Sequence, residues 1–104
     1  MKQYQTNLFG VNSSNLEKAA SILEKKLGIV FALHESSFRG GDYYRYDNKN
    51  EDEIILQKNY DFVTQEWSEE EFSDYPFLLY ISSRSNFNET ISILDAEHNI
   101  TLLR

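Results

Sequence analysis

SNLEKAASILEKKLG, residues 14–28, is the stretch from which the fold class follows. Ser14 and Glu17 have the spacing of a capping box, with Ser14 as N-cap and Glu17 at N3. Leu16, Ala19, Ala20, Leu23 and Leu27 then recur at offsets 0, 3, 4, 7 and 11, which is one face of a helix. Gly28 supplies the stop, because the residue after a helix often takes positive φ. Lys25 and Lys26 suit the negative end of the helix dipole. A helix with a single apolar stripe has to lay that stripe on another element, and the sequence downstream supplies strands.

Residues 29–34 (IVFALH) are β-rich and apolar on both faces, which predicts a strand away from the sheet edge. Gly40-Gly41 turns the chain into a short strand over 42–47, with aromatics on both faces. Residues 47–50 (DNKN) are turn chemistry, and 53–58 (EIILQK) form a third strand, completing an antiparallel meander. Residues 59–75 have no clean period. A structureless loop of that length is uncommon in a compact domain, so it is expected to hold a helical turn over 68–72 or to fold its aromatics down as a lid. Pro76 opens a strand over 77–82. A second helix is expected from Asn86, with Glu89 in its first turn and Phe87, Ile91 and Leu94 on its apolar face. His98-Asn99 is a turn, and 100–103 a closing strand. The predicted fold is a single α+β domain over 1–104. It is a two-layer sandwich of about five mostly antiparallel strands with two helices packed on one face.

The 104 residues are enough for one core without staples. There is no cysteine, so disulfides and thiolate metal sites are excluded, in keeping with a reducing cytoplasm. The opening MKQYQTN has no apolar core of a secretory signal. The longest apolar runs, 29–33 and 76–81, fall far short of the ~20 residues of a membrane helix. An acidic chain with no basic stripe argues against binding nucleic acid or a membrane.

The charge is not spread evenly. Residues 42–76 hold eleven acidic residues against Arg45, Lys49 and Lys58, so this block carries −8 in a chain whose net charge is −7. Tyr43, Tyr44, Tyr46, Tyr60, Phe62, Trp67, Phe72 and Tyr75 are interleaved with them. Acids steer a basic partner and aromatics anchor it. The expected binding face comprises Asp42, Tyr43, Tyr44, Asp47, Glu51, Asp52, Glu53, Tyr60, Asp61, Glu66, Trp67, Glu69 and Glu70. Core packing is the bland reading for about half of the tyrosines. A helix N-terminal turn after Ser68 is the bland reading for the acids at 69–71.

No catalytic motif competes with this face. His34 and His98 are the only histidines and do not stand at metal-ligand spacing, so no metal or cofactor is expected. His34, Glu35, Ser36 and Ser37 are the residue types of a hydrolase triad. They are consecutive, however, and strand neighbours point to opposite faces. Gly40-Gly41 lacks the G-K-[ST] of a phosphate loop. The sequons at Asn12, Asn88 and Asn99 mean little without a secretion signal.

From Leu27-Gly28 onward the chain resembles small immunity proteins of bacterial polymorphic-toxin and contact-dependent growth inhibition systems. The similarity runs through residues 35–44 (ESSFRGGDYY), 54–59 (IILQKN), Glu66-Trp67 and 74–80 (DYPFLLY), with SSFRGGDYY as its most distinctive piece. The resemblance implies a cytoplasmic protein that is not an enzyme and needs no cofactor. It would be a monomer when free, and would bind a cognate toxin domain and occlude it. The targets of such proteins are often nucleases with basic clefts. Two other readings remain open on the residues alone: a small carboxylate-dependent hydrolase, and a regulatory subunit of a larger assembly.

Overall fold

The strand that organises the sheet is β1 (Gln5–Val11), which the polar start of the chain does not announce. In a computed structural model describing residues 5–36, 41–47, 52–61, 64–83, 92–94, 97 and 99–104, β1 lies between two partners. It pairs antiparallel with β7 (Phe77–Ser83) on one side and with β8 (Ile100–Leu102) on the other. The remaining strands are β2 (Ala32–Ser36), β3 (Gly41–Asp47) and β4 (Asp52–Lys58). The six-stranded order is β2-β3-β4-β7-β1-β8, with antiparallel neighbours throughout. A separate two-stranded ribbon joins β5 (Tyr60–Asp61) to β6 (Glu66–Trp67). The α+β class, the 42–47 and 53–58 strands and the meander are therefore observed. The main sheet has six strands rather than about five.

Alternation assigns the core. Phe9 and Val11 of β1, Ile54 and Leu56 of β4, and Phe77, Leu79 and Ile81 of β7 point to one face. There they share a cluster with Leu16, Ala19, Ala20 and Leu23 of α1 (Leu16–Leu27), and with Leu94. The opposite parity buries Leu8, Ile55 and Leu78 as well, so the three central strands are covered on both faces. Residues 92–94 are helical, and Leu94 has 0 % exposure. The other expected residues of that second helix lie outside the described residues, as does the 48–50 turn. No helix among the described residues is long and apolar enough to cross a membrane.

Two expectations need correction. The N-cap of α1 is Asn15, not Ser14: its backbone is extended and its Oδ1 accepts the Lys18 N–H at 2.7 Å. The strand expected at 29–34 begins three residues late and is an edge. The reason lies in the exit of α1. Gly28 takes φ 66° as foreseen, and the Gly28 and Ile29 N–H groups both donate to the Glu24 carbonyl. The Phe31 N–H then donates to the Glu24 carboxylate at 2.8 Å. Residues 28–31 are thus held by the helix end and cannot join the ladder. Of the apolar run only Phe31 is buried, while Val30 and Leu33 stay exposed at 81 % and 58 %.

The capping assignment is directly testable. Asn15→Ala should cost ~1 kcal/mol and Ser14→Ala almost nothing, as read from urea midpoints at constant m. Equal losses would return the cap to Ser14.

Candidate functional site

Asn59 follows β4 and ties the aromatic, acidic segment 66–76 down. It has 0 % exposure. Its Nδ2 donates to the carbonyls of Phe72 and Tyr75 at 3.0 Å each, which uses both of its hydrogens. Its Oδ1 accepts the Glu69 N–H at 2.9 Å. Its backbone N–H donates to the Pro76 carbonyl, and its own carbonyl accepts the Ser68 N–H. Buried Gln57 adds a bond from Nε2 to Ser68 Oγ at 3.3 Å. Between these ties the chain makes a 3-10 turn, Glu70–Phe72, within the span expected for a helical turn. Tyr75 then covers Gly10 so closely that a Cβ there would lie 2.4 Å from the ring. That contact requires glycine at position 10 irrespective of its φ.

The acidic block does not form one surface. One part lies at the turn end of the β3–β4 hairpin, where Asp47 faces Glu53. Arg45 joins them: Nε and Nη2 donate to Glu53 Oε2 at 3.0 and 2.8 Å, and Nη2 to Asp47 Oδ2 at 2.8 Å. The hydrogen bond to Glu53, helped by the charges of Glu53 and Asp47, holds the guanidinium protonated more firmly than usual, against the lowering effect of desolvation. Asp52 lies at the same end of β4, and Glu51 lies outside the described residues. Farther along the chain, Glu69 and Glu71 pair with Arg104, whose guanidinium also lies 6.0 Å from the Phe72 ring centre. Glu70, between them, is exposed.

The second cluster lies at the other end of the sheet. Tyr43 pairs with Gln57, so Asp42 sits one step beyond that pair, beside Lys58. Asp42 is thus five residues from Asp47, roughly 17 Å along the strand. The β2–β3 register sets Glu35 directly opposite Asp42, and both are exposed. The β5–β6 register repeats the arrangement, with Asp61 directly opposite Glu66. Like charges in directly opposed positions destabilise a ladder. Sequence reasoning missed Glu35, because only the β2–β3 register reveals its partner. On the other side of the ribbon Tyr60 faces Trp67, with ring centres 4.9 Å apart and planes at 60°. Trp67 keeps 39 % exposure. It is not folded under the segment as a lid; that place belongs to Tyr75.

The tyrosines divide as strand alternation requires. Tyr44 and Tyr46 pack against the α1 cluster, and Tyr44 meets Phe31 edge-on at 6.0 Å. Tyr43 turns to the other face and stacks on His34 at 5.4 Å. Burial, with the charges of Glu17, Glu24 and Asp42, pushes the Tyr44 phenol above its ordinary value.

Beside the ribbon lies a groove of about 520 Å³, between the start of α1 and the Tyr60–Trp67 pair. Leu16, Pro76 and Phe77 line it with the two rings, together with Lys58, Ser14 and Asn15. Among the described residues no group of three or more His, Asp or Glu could hold a metal ion. No protein-family model matches the chain, and a search of curated proteins finds no match.

Two consequences can be measured. Asn59→Asp keeps the acceptor but loses both donors and turns a carboxylate toward two carbonyls. It should destabilise at least as much as Asn59→Ala, by about 2 kcal/mol or more in urea unfolding. For Tyr44, the folded chain keeps a phenol proton that the unfolded chain has released, so its contribution is complete below about pH 10 and is lost as pH rises through the folded value. Tyr44→Phe should therefore flatten the alkaline fall of stability, and an unchanged slope would show that Tyr44 does not drive it.

Proposed function

We propose that this chain is a cytoplasmic immunity protein that binds a cognate toxin domain, a nuclease with a basic cleft, and occludes it. In this reading it is not an enzyme and uses no cofactor, nucleic acid or membrane. It is a monomer when free, built as a two-layer sandwich with both helices on one face. The observation that carries the reading is the β5–β6 ribbon. An exposed Trp67 is braced by Tyr60 on one side, while Asp61 faces Glu66 on the other. The first leaves an indole partly in water, and the second opposes two carboxylates, of which Asp61 also accepts the Thr64 N–H within the ribbon turn. Both suit a cationic partner, which offsets the negative charge and covers the ring. Exposed aromatic area and like charges in register are local arrangements of the kind expected at functional sites.

The proposed contact surface is accordingly narrower than the acidic block. It is centred on Tyr60, Asp61, Glu66 and Trp67, with Asp42, Tyr43 and Glu35 at the same end of the sheet. Asp47 and Glu53 are already matched by Arg45, and Glu69 by Arg104. Tyr44 belongs to the core.

The test is co-expression with the adjacent reading frame, followed by pull-down and a growth-protection assay. Glu35→Lys with Glu66→Lys should abolish protection while melting barely moves, because both side chains are exposed and exposed charges contribute little to stability. Trp67→Ala should weaken binding by ~2 kcal/mol or more. The association rate of the native chain should fall as salt screens the approach beyond a Debye length of ~8 Å. Full protection by the doubly reversed protein would remove the ribbon from the interface.

A further inference from the structure

We infer that residues 69–73 form a flap beside the candidate site that the Arg104 guanidinium straps shut, through a tie that ionic strength can loosen. The device belongs to the fold and is independent of any partner's identity. The flap has little of its own to hold it. Its 3-10 turn, Glu70–Phe72, contains no buried residue. The Phe72, Ser73 and Tyr75 N–H groups donate to the carbonyls of Glu69, Glu70 and Phe72 at 3.0, 3.2 and 3.0 Å. A single turn of this kind does not persist in water by its own bonds. It is kept in place by groups distant in the chain: Asn59 from beneath, the seat of Tyr75 on Gly10, and Arg104 from the side.

Arg104 is anchored for this task. The Leu8 N–H donates to its main-chain oxygen at 2.9 Å, and Asn7 Nδ2 donates to the same oxygen at 3.2 Å. Its own N–H donates to the Leu8 carbonyl at 3.3 Å. From this fixed point on β1 the side chain reaches the flap. Nη2 donates to Glu69 Oε1, Nη1 donates to Glu71 Oε1 at 3.2 Å, and the guanidinium stands 6.0 Å from the Phe72 ring centre. One planar fork thus grips both carboxylates and the ring between β1 and the turn. The ties differ in kind. Asn59 has 0 % exposure and the Tyr75 contact is apolar, so salt acts little on either. The side chains of Arg104 and Glu71 are 55 % and 67 % exposed, so their attraction weakens as ionic strength rises. Without it the flap opens more often while the sheet stays folded. The ribbon does not follow, because the Ser68 N–H is bonded to the Asn59 carbonyl and Ser68 Oγ to Gln57.

Amide hydrogen exchange tests the strap, with the native chain set beside Arg104→Met, which keeps an aliphatic stem. In Arg104→Met the protection factors of Phe72 and Ser73 should fall roughly fivefold or more. Those of Ser68 and of the β1 and β7 amides should not change. Raising sodium chloride from about 0.05 to about 0.5 M should produce the same local loss in the native chain and no further loss in Arg104→Met. Arg104→Lys keeps the charge without the fork and should lie between the two. Equal protection of Phe72 and Ser73 in the native and Arg104→Met chains overturns the strap. So does a loss shared equally by β1 and β7, which makes Arg104 a support of the whole sheet. A native chain whose Phe72 and Ser73 protection does not respond to salt overturns it as well, whether or not Arg104→Met folds.

Discussion

The carboxamide of Asn59 holds the candidate site to the fold. Among the described residues it is the polar side chain with no exposed surface, and both its donors and its acceptor are matched to backbone groups of residues 69–75. An unmatched polar group buried there would cost more than any one of these bonds contributes, so the amide and the segment enforce each other. Segment 66–76 has no apolar period of its own. It is ordered because its carbonyls and amides find Asn59 and because Tyr75 finds the bare backbone of Gly10. The ribbon that carries Tyr60 and Trp67 is in turn pinned at both ends, at Asn59 and at Ser68.

That arrangement explains how so acidic a block can exist on one domain. Part of the charge is neutralised internally, by Arg45 within the β3–β4 hairpin and by Arg104 against the 3-10 turn. These partly exposed pairs contribute little stability, but they decide which carboxylates are matched. Away from that turn, Glu35 of β2 faces Asp42 of β3, and Asp61 faces Glu66 in the separate β5–β6 ribbon. The two ends of β4 differ in the same way. One is an internal salt-bridge cluster, and at the other opposed acids stand near Lys58 and an aromatic groove.

Helix α1 was legible almost to the residue, because its apolar stripe, its C-terminal lysines and Gly28 act within a few residues of each other. The Ser14 assignment failed by one position because Ser14 and Asn15 are both good caps, and the choice depends on which backbone turns extended first. Strand β1 was missed because Gln5, Thr6 and Asn7 look like a polar tail, whereas Leu8 to Val11 are apolar on both faces, as a central strand requires. The candidate site was legible as a composition, acid with Tyr and Trp, but not as a place.

The chain's local chemistry was enough to determine an acidic α+β domain with α1, the β2–β3–β4 meander and a loop rich in aromatics, since caps, turns and alternation are short-range properties. Strand order, the edge position of β2, the need for glycine at position 10 and the burial of Asn59 came from the folded molecule. So did the pairing of Arg45 with Asp47 and Glu53 and of Arg104 with Glu69 and Glu71. Each of these depends on groups distant in the chain meeting in one register, and a period read along the sequence carries no information about which strand will lie alongside.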